Sequence, residues 1–452
     1  MNPSTVFALI LFVLTYVFMF SLQKIRPVIA VFSALIFVAV GSFGLFPDYS
    51  YTPLDALREI DWNVLMMIVG TMGTVYLFIE SRMPQRISDK LISHVHSVKW
   101  LVVVLSLFAG IISAFVDNVA TVLMVAPVAL AVCKRLKISP VAPIICISVS
   151  SNLQGAATLV GDTTSILLGK AANLDFMDFF FVDGRPGMFW VTEAGALAAA
   201  AVIWWMFRKN DDRIGEMHKT EVDDIFPTLM LVMTVLSLIA VSFIPYKSNA
   251  APGDFYKPDI TNGLLCLLFF VIGLVRQIKK DGSFEVAAAA FKEIDYYTVV
   301  LLTGLFVAIG GISRAGVIDL IGSLLAGLSG SGSRGSVFLI YAIVVWVSVI
   351  LSAFIDNIPY TATMLPIVAV VTARLNEVGA NVHPNLLYFG LLVGATLGGN
   401  LTPIGASANI AALGILRREG YEVKSSTFMR YGVPFTLTAV LTGFLLVWLI
   451  WM

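Results

Sequence analysis

Apolar runs of about twenty residues recur along this chain of 452 residues, and they constrain its fold more than any other feature. A run of about 20 apolar residues matches the thickness of the hydrocarbon core of a bilayer, where every backbone polar group needs a partner within the protein. An α-helix provides those partners inside one segment. Eight such runs are predicted to be spanning helices: 5–21, 27–46, 62–80, 188–207, 224–245, 261–275, 295–312 and 431–452.

Two further runs, 139–169 and 384–416, are long but interrupted by Gly, Thr and Pro. We interpret each as a spanning helix broken at the membrane midplane, which gives about ten spans. The composition agrees, because a chain with 58% hydrophobic and 13% charged residues cannot hide its apolar surface in a soluble core. The fold class predicted is an all-α polytopic membrane protein.

The distribution of Lys and Arg sets the predicted orientation, because cytoplasmic loops are enriched in both. If the loop with Lys24 and Arg26 is cytoplasmic, the cytoplasmic segments hold 21 of the 29 basic residues. This excess of basic residues on the cytoplasmic side is retained only if the segments 100–133 and 335–373 each enter and leave the membrane by the same face. We therefore predict two re-entrant hairpins, the first opening to the cytoplasm and the second to the exterior, with both chain termini outside.

The chain also repeats itself. "IDWNVLMMIVGTMG" at 60–73 resembles "IDYYTVVLLTGLFV" at 294–307, and "QGAATLVG" at 154–161 matches "GGNLTPIG" at 398–405. By the orientation above, the two copies have inverted topology, which is typical of secondary transporters with a site between the halves. The predicted organisation is an N-terminal helix pair (1–54), a first repeat (55–207), connecting helices and cytoplasmic loops (208–293) and a second, inverted repeat (294–452).

Each predicted hairpin contains an aspartate followed by an asparagine, an acid–amide doublet, within sequence that is otherwise apolar enough to lie in the membrane. "SAFVDNVATVLMVAP" at 113–127 and "SAFIDNIPYTATMLP" at 352–366 place Asp117–Asn118 and Asp356–Asn357 at the tips. A carboxylate at that depth costs about 2.5–3.5 kcal/mol on insertion scales, so a functional role is the default hypothesis.

The two residue types of the doublet suggest different chemistry. The asparagine oxygens, with neighbouring main-chain carbonyls, are a predicted Na+ site. Burial disfavours the charged aspartate and a bound cation favours it, so H+ and a cation can compete for Asp117 and Asp356. The alternative is that each aspartate only caps the returning helix, and the two roles are compatible because capping leaves the charge in place.

The interruptions in the two broken helices form the second part of the predicted site. Glycine lets a backbone unwind, and hydroxyls and exposed helix ends can then bind an ion or substrate. The glycines could instead serve close helix packing. Asp162 has no acidic counterpart in the second half and is expected to make the site's charge asymmetric, or to face water. The residues assigned to this part are Thr158, Gly161, Asp162, Thr402, Gly405, Ser407 and Asn409.

Other functions find no support in the sequence. There is no Gly-rich loop followed by Lys-Ser or Lys-Thr, so the energy source is expected to be an H+ or Na+ gradient rather than a nucleotide, and no cofactor is expected. The formal net charge is zero, which gives no indication of nucleic-acid binding. No nucleophile–base constellation lies at membrane depth, so an enzyme is not expected.

The doublets, with "SNLQGAATLVGDTTSILLG" at 151–169 and "GGNLTPIGASANIAALGILRREGY" at 398–421, closely resemble the arsenite permease and melanosomal P protein branch of the ion transporter superfamily. The likeness runs from about residue 55 to the C-terminus. It implies a homodimer with a scaffold part, a mobile part and elevator-type alternating access. In the related dicarboxylate symporters the hairpin tip reads Ser-Asn-Thr, which aligns Asn118 and Asn357 with their sodium-binding asparagines.

The function expected is secondary active transport of a small ion or anion across a membrane, expected to be the bacterial inner membrane, with H+ or Na+ coupling. The aspartate at each tip favours antiport or protonation coupling. One alternative is a Na+-driven carboxylate or oxyanion symporter. Another, from a different class, is a passive ion channel, which would not need a protonatable group at both tips.

Overall fold

The computed structural model of the protein describes residues 2–95, 97–210, 222, 224–246, 255–327 and 332–452. Parts of the predicted connection 208–293, and residues 328–331 before the second hairpin, lie outside these ranges. In the described part the chain forms twenty α-helices, three short 3-10 turns and one two-stranded β-hairpin. In that hairpin β1 (Phe181–Val182) pairs antiparallel with β2 (Arg185–Pro186), with Phe181 opposite Pro186.

The helices fall into two series of ten with the same succession of long and short helices. The first series is α1 (Pro3–Ser21), α2 (Arg26–Ser42), α3 (Pro53–Glu59), α4 (Trp62–Glu80), α5 (Met83–Ile92), α6 (Val98–Ser113), α7 (Asn118–Leu136), α8 (Val141–Gln154), α9 (Thr163–Ala171) and α10 (Met188–Phe207). The second is α11 (Phe226–Ser242), α12 (Thr261–Asp281), α13 (Glu285–Lys292), α14 (Tyr296–Arg314), α15 (Val317–Gly327), α16 (Arg334–Ser352), α17 (Asn357–Glu377), α18 (Pro384–Gly398), α19 (Ser407–Arg418) and α20 (Ser425–Trp451).

The sequence explains where equivalent helices begin. Asp61 and Asp295 precede α4 and α14 in the repeated "ID" motif, and each accepts a hydrogen bond from the backbone N–H three residues on, at 3.0 Å in both cases. An aspartate at this position satisfies one of the free N–H groups of the first turn. The two repeats therefore share the aspartate that begins this helix as well as the length of its apolar run.

Ten helices in the described ranges are long and apolar enough to cross a bilayer, which confirms the predicted fold class of a polytopic helical membrane protein. The ten differ from the runs counted in the sequence. They include the hairpin arms α7, α16 and α17, whereas α11 is shorter than expected and each broken helix divides into two short pieces. An arm of a helical hairpin can be as long as a spanning helix, because the arm continues past the level at which the neighbouring broken helix is interrupted.

Each hairpin tip lies against the break in the broken helix of the same half. The first hairpin is α6 and α7, joined by residues 114–117, and the first break is 155–162 between α8 and α9. The hydroxyl of Thr158 in that break donates to the carbonyl of Ala114. In the second half, Thr402 donates in the same way to Ala353, in the tip between α16 and α17. The re-entrant course of both hairpins stays a prediction, and this placement of the tips favours it.

Two helix pairs, α4 with α12 and α2 with α14, form the most extensive contacts between the halves. Each pair joins the first long helix of one repeat to the helix that precedes the other repeat. The helices α6, α8 and α18, which belong to the first hairpin and the two broken helices, pack instead with α10 or α20. The molecule thus has two parts, the four paired helices with their neighbours and the hairpin-containing part, and the cavity described below lies between them.

Removing the buried amine of Lys257 is expected to destabilise the fold. Its Nζ lies 2.6 Å from Asp175 Oδ1, with side chains only 3% and 8% exposed, and donates to Val241 O at 2.9 Å. Because Lys257→Met leaves a buried carboxylate without its cation, we expect a loss of about 3–5 kcal/mol, measured by thermal unfolding in detergent. The double variant Lys257→Met/Asp175→Asn should be less destabilised, and Lys279→Met, at an exposed site, should change little. Equal stability of Lys257→Met and Lys279→Met would contradict this.

Candidate functional site

The two doublets occupy equivalent positions at the starts of α7 and α17. Asp117 Oδ1 accepts hydrogen bonds from the backbone N–H groups of Val119 and Ala120, at 3.0 and 3.2 Å. Asp356 Oδ1 accepts one from Ile358, at 3.2 Å. The capping geometry considered from the sequence is therefore present in both halves, and it engages one carboxylate oxygen of each aspartate.

A cavity of about 240 Å³ lies where the two tips meet α4 and α14. Both halves contribute to its wall. Five residues that the sequence proposed line it: Asp117, Asn118, Asp162, Asn357 and Ser407. The wall also contains residues that the sequence did not propose, including Tyr76, Thr163, Glu293, Asp295 and Thr298.

The polar wall of this cavity is acidic. It contains the carboxyl groups of four residues, Asp117, Asp162, Glu293 and Asp295, and no Lys, Arg or His is among the described residues that line it. Carboxylates grouped in a partly desolvated space attract a cation or retain a proton. The arrangement can therefore bind H+ or a small cation directly, whereas a free anion would be repelled.

Asp162 joins the two halves at the centre of the site. Its Oδ2 accepts hydrogen bonds from Thr164 Oγ1 at 2.9 Å and from Asn357 Nδ2, in the second doublet, at 3.2 Å. Asp162 is 4% exposed and lines the cavity. The acidic residue without a counterpart thus contacts the opposite hairpin tip, and its role in the charge of the site stays a prediction.

A network of amide side chains holds the two broken helices together behind the cavity. Asn118 Nδ2 donates to Asn152 Oδ1 at 2.9 Å, and Asn152 Nδ2 donates to Asn400 Oδ1 at 3.1 Å and to the Thr396 carbonyl at 2.8 Å. Asn400 Nδ2 in turn donates to Val149 O at 2.9 Å. Hydrogen-bonded buried amides fix relative positions, so this network links α8 of the first half to the break of the second. Of the three amide oxygens in this network, only that of Asn118 is left to coordinate a cation.

Four of the remaining predicted residues hold the tips rather than line the cavity, and Asn409 bonds to the second break and to α8. The hydroxyls of Thr158 and Thr402 are engaged by tip carbonyls, and Gly161 and Gly405 lie directly against the same carbonyls. Asn409 donates to Gly399 O and Thr402 O at 3.1 and 3.2 Å and accepts from Ser148 at 2.6 Å. The position of Gly161 and Gly405 against the tip carbonyls favours the alternative that these glycines serve close packing.

Asp356 differs from Asp117 because a cation lies beside it. Arg26 Nη1 is 3.3 Å from Asp356 Oδ2, and Ser407 Oγ donates to the same oxygen at 3.5 Å. In the sequence Arg26 looked like one of the charges of a cytoplasmic loop. The structure shows instead that it begins α2 and is buried.

Of the residues that sequence reasoning missed, Thr163 left a signal because it is the counterpart of Ser407 when Gly161 is aligned with Gly405. Asp295 left another. It occupies the same position of the repeated "ID" motif as Asp61, so the repeat marked it as a polar residue shared by the halves. Asn152 and Asn400 stand at different positions of their repeats, and Arg26 precedes the regions that resemble each other. Their contacts depend on the tertiary fold alone.

Comparisons with known proteins agree with this architecture. A family model described as "CitMHS: Citrate transporter" matches residues 9–394. An "Uncharacterized transporter Rv2684" of Mycobacterium tuberculosis is 30% identical over 450 residues, 98% of each chain. The human P protein is 27% identical, over 85% of this chain and 53% of that protein, which confirms the resemblance to the P protein branch.

Two solved transporter structures share the fold. The YdaH transporter of Alcanivorax borkumensis superposes with a TM-score of 0.62 at 14% identity, covering 94% of this chain and 97% of that one. Neisseria gonorrhoeae MtrF, described as illuminating a class of antimetabolite efflux pumps, gives a TM-score of 0.55 at 12% identity, covering 94% of each chain. At these identities the likeness concerns the fold.

Proposed function

The chain belongs to the CitMHS citrate transporter family, and we propose that it is a secondary active transporter that moves a small ion or anion, coupled to H+ or Na+. One observation carries the proposal. Asp117 and Asn118 from one hairpin tip and Asn357 from the equivalent tip line one acidic cavity between the two parts of an integral membrane protein. Intramembrane carboxylates at the junction of two repeats are the arrangement in which transporters bind coupling ions.

The wall chemistry favours a cation as the coupling species. Asp117 presents a carboxylate to the cavity, and the Asn118 amide next to it supplies a neutral oxygen. Together with main-chain carbonyls at the tip, these groups can replace part of the hydration shell of Na+. A proton bound to Asp117 would neutralise the same carboxylate, so H+ and Na+ are the two coupling ions proposed.

Movement of the hairpin-containing part against the paired helices is the proposed transport step. The cavity lies at their boundary, with Tyr76 of α4 and Asp295 of α14 on one side and the two tips on the other. Glu293 and Asp295 adjoin a segment predicted to be cytoplasmic, so we assign this conformation as inward-facing. Elevator-type displacement would carry the site away from these helix ends toward the exterior.

A Na+-driven carboxylate or oxyanion symporter is the second candidate, favoured by the family description. An anionic substrate meets four carboxyl groups in this cavity, so it would have to enter together with cations. Its signature is substrate uptake that requires Na+ and persists without a pH gradient. For either candidate we propose a homodimer in the bacterial inner membrane, with both termini outside.

The deciding experiment is flux in proteoliposomes containing the full chain, with a pH gradient or a Na+ gradient imposed separately. The substrates screened are Na+, arsenite, citrate, dicarboxylates and simple oxyanions. We expect one of them to accumulate against its own gradient while the coupling gradient lasts, and to stop accumulating when an ionophore collapses that gradient.

Two outcomes would reject the proposal. Substrate movement that only equilibrates, at a rate indifferent to both imposed gradients, would indicate a channel. No gradient-driven movement of any screened ion or anion, with protein shown to be correctly inserted, would remove the basis for ion-coupled transport of these classes. Empty liposomes provide the background.

A further inference from the structure

We propose that the guanidinium of Arg26 permanently occupies the second of two equivalent cation positions, so that the site offers one exchangeable cation position, at Asp117. The inference rests on the proposed function and specifies its ion stoichiometry. It follows from a difference between two doublets that the repeat would otherwise make alike.

The two cation positions are equivalent in sequence and backbone. The doublets are 239 residues apart, each aspartate caps the following helix, and each asparagine is the first residue of that helix. Each tip also rests on the break of its own half through a threonine hydroxyl. Two such positions, left empty of protein cations, would be expected to bind two ions.

The second position already contains a positive charge. Arg26 Nη1 lies 3.3 Å from Asp356 Oδ2, and the two side chains are 7% and 13% exposed. The guanidinium is held there from its other side, because Arg26 Nε donates to Met19 O, near the end of α1, at 3.0 Å. An arginine side chain stays charged at any pH a protein meets, so it neutralises Asp356 as a bound Na+ would, but cannot leave.

The first position has no such charge. In the order of elements α12 is the counterpart of α2, but it begins with Thr261 and Asn262 rather than with a basic residue. Asn262 donates toward Asp175 and Tyr246, at 3.4 and 3.1 Å. The described residues lining the cavity beside Asp117 include acids and no base. Of the two tip aspartates, only Asp117 is therefore left to bind an exchangeable cation.

Replacing Arg26 should open the second position. In the purified full chain, with ²²Na+ as the probe, Arg26→Gln is expected to bind one more Na+ per chain than the wild-type protein, whether the wild type binds one or none. Arg26→Lys keeps a tethered cation and should show no gain. Lys24→Gln, which removes an exposed neighbouring charge, is the matched control and should also show no gain.

The gain should depend on Asp356 and on the space left by the guanidinium. Arg26→Gln/Asp356→Asn should return to the wild-type Na+ count. In Arg26→Ala, added guanidinium ion should compete with the extra Na+, because it can refill the position, whereas the wild-type count should not respond. Size-exclusion profiles and thermal unfolding report whether each variant is folded.

A folded Arg26→Gln protein with the wild-type Na+ count would overturn the inference. If Arg26→Gln does not fold, Asp356→Asn decides: the wild-type Na+ count must be unchanged in it, and loss of one Na+ would show that the second position had been exchangeable. These readouts measure binding. A failure of gradient-driven flux would count against the proposed function and leave the comparison of Na+ counts intact.

Discussion

Asp117→Asn is expected to reduce gradient-driven flux by about 100-fold or more, the size of effect that follows loss of a positioned proton-transfer group. The substitution is nearly isosteric, and an asparagine oxygen can still accept the bonds that cap α7 from Val119 and Ala120. What disappears is the one tip carboxylate among the described residues that line the cavity, since Asp356 is paired with Arg26 and is not part of that wall. The measurement is the initial rate in proteoliposomes under an imposed H+ or Na+ gradient.

The control for Asp117→Asn is Asp319→Asn, which makes the same chemical change on the exposed surface of α15. It should leave the flux unchanged. Both variants should unfold within a few degrees of the wild-type protein, because neither loses a buried partner. Wild-type rates and ion dependence in Asp117→Asn would remove Asp117 from the coupling step and, with it, the assignment of the acidic cavity as the ion site.

The sequence was sufficient to predict the elements that create the cavity. The doublets, the interrupted helices and the repeated "ID" starts are local signals, and each of them depends on backbone chemistry that a short segment determines by itself. The distribution of Lys and Arg added that each hairpin enters and leaves by one face, the first cytoplasmic and the second exterior, and this course stays a prediction. The structure brings Asp117, Asn118, Asp162, Asn357 and Ser407 to one cavity from these separate segments.

The contacts that distinguish the two halves could not be predicted in this way. Arg26 stands at the edge of an apolar run, where a basic residue ordinarily marks the cytoplasmic end of a span. Its partner Asp356 is 330 residues away, and they meet because α2 packs against α14, which in turn contacts α17 behind Asp356. Likewise Asn152 and Asn400 read as ordinary polar residues of broken helices until α8 and α18 are placed side by side.

The roles of Thr158 and Thr402 show a second limit, because residue type alone does not say which way a hydroxyl points. The sequence assigned both to ion or substrate binding. In the structure each donates to a tip carbonyl of its own half, so each fixes the hairpin to the break. This contact keeps the doublet at the cavity, and the adjacent glycines make it possible.

Gly405→Ala is therefore expected to disrupt the site although it replaces no polar side chain. A Cβ at Gly405 would lie 2.6 Å from Gly399 O and 2.8 Å from both Ser352 O and Ala353 O, all of them backbone atoms that cannot rotate away. The tip must then separate from the break, which moves Asn357 away from Asp162. We expect a loss of about 1–3 kcal/mol in stability, typical of overpacking, together with at least a tenfold loss of gradient-driven flux.

Gly161→Ala should behave like Gly405→Ala, because its Cβ would meet Gly155 O at 2.7 Å, Ser113 O at 2.9 Å and Ala114 O at 3.0 Å. The matched control is Gly414→Ala, in α19, where nothing lies within 4 Å of the added carbon. Since alanine favours a helix interior over glycine by about 1 kcal/mol, Gly414→Ala should unfold at the same or a higher temperature and transport normally. If the three variants were equally stable and active, the tips would not depend on close contact with the breaks, and the position of the doublets would have to be fixed by the asparagine network alone.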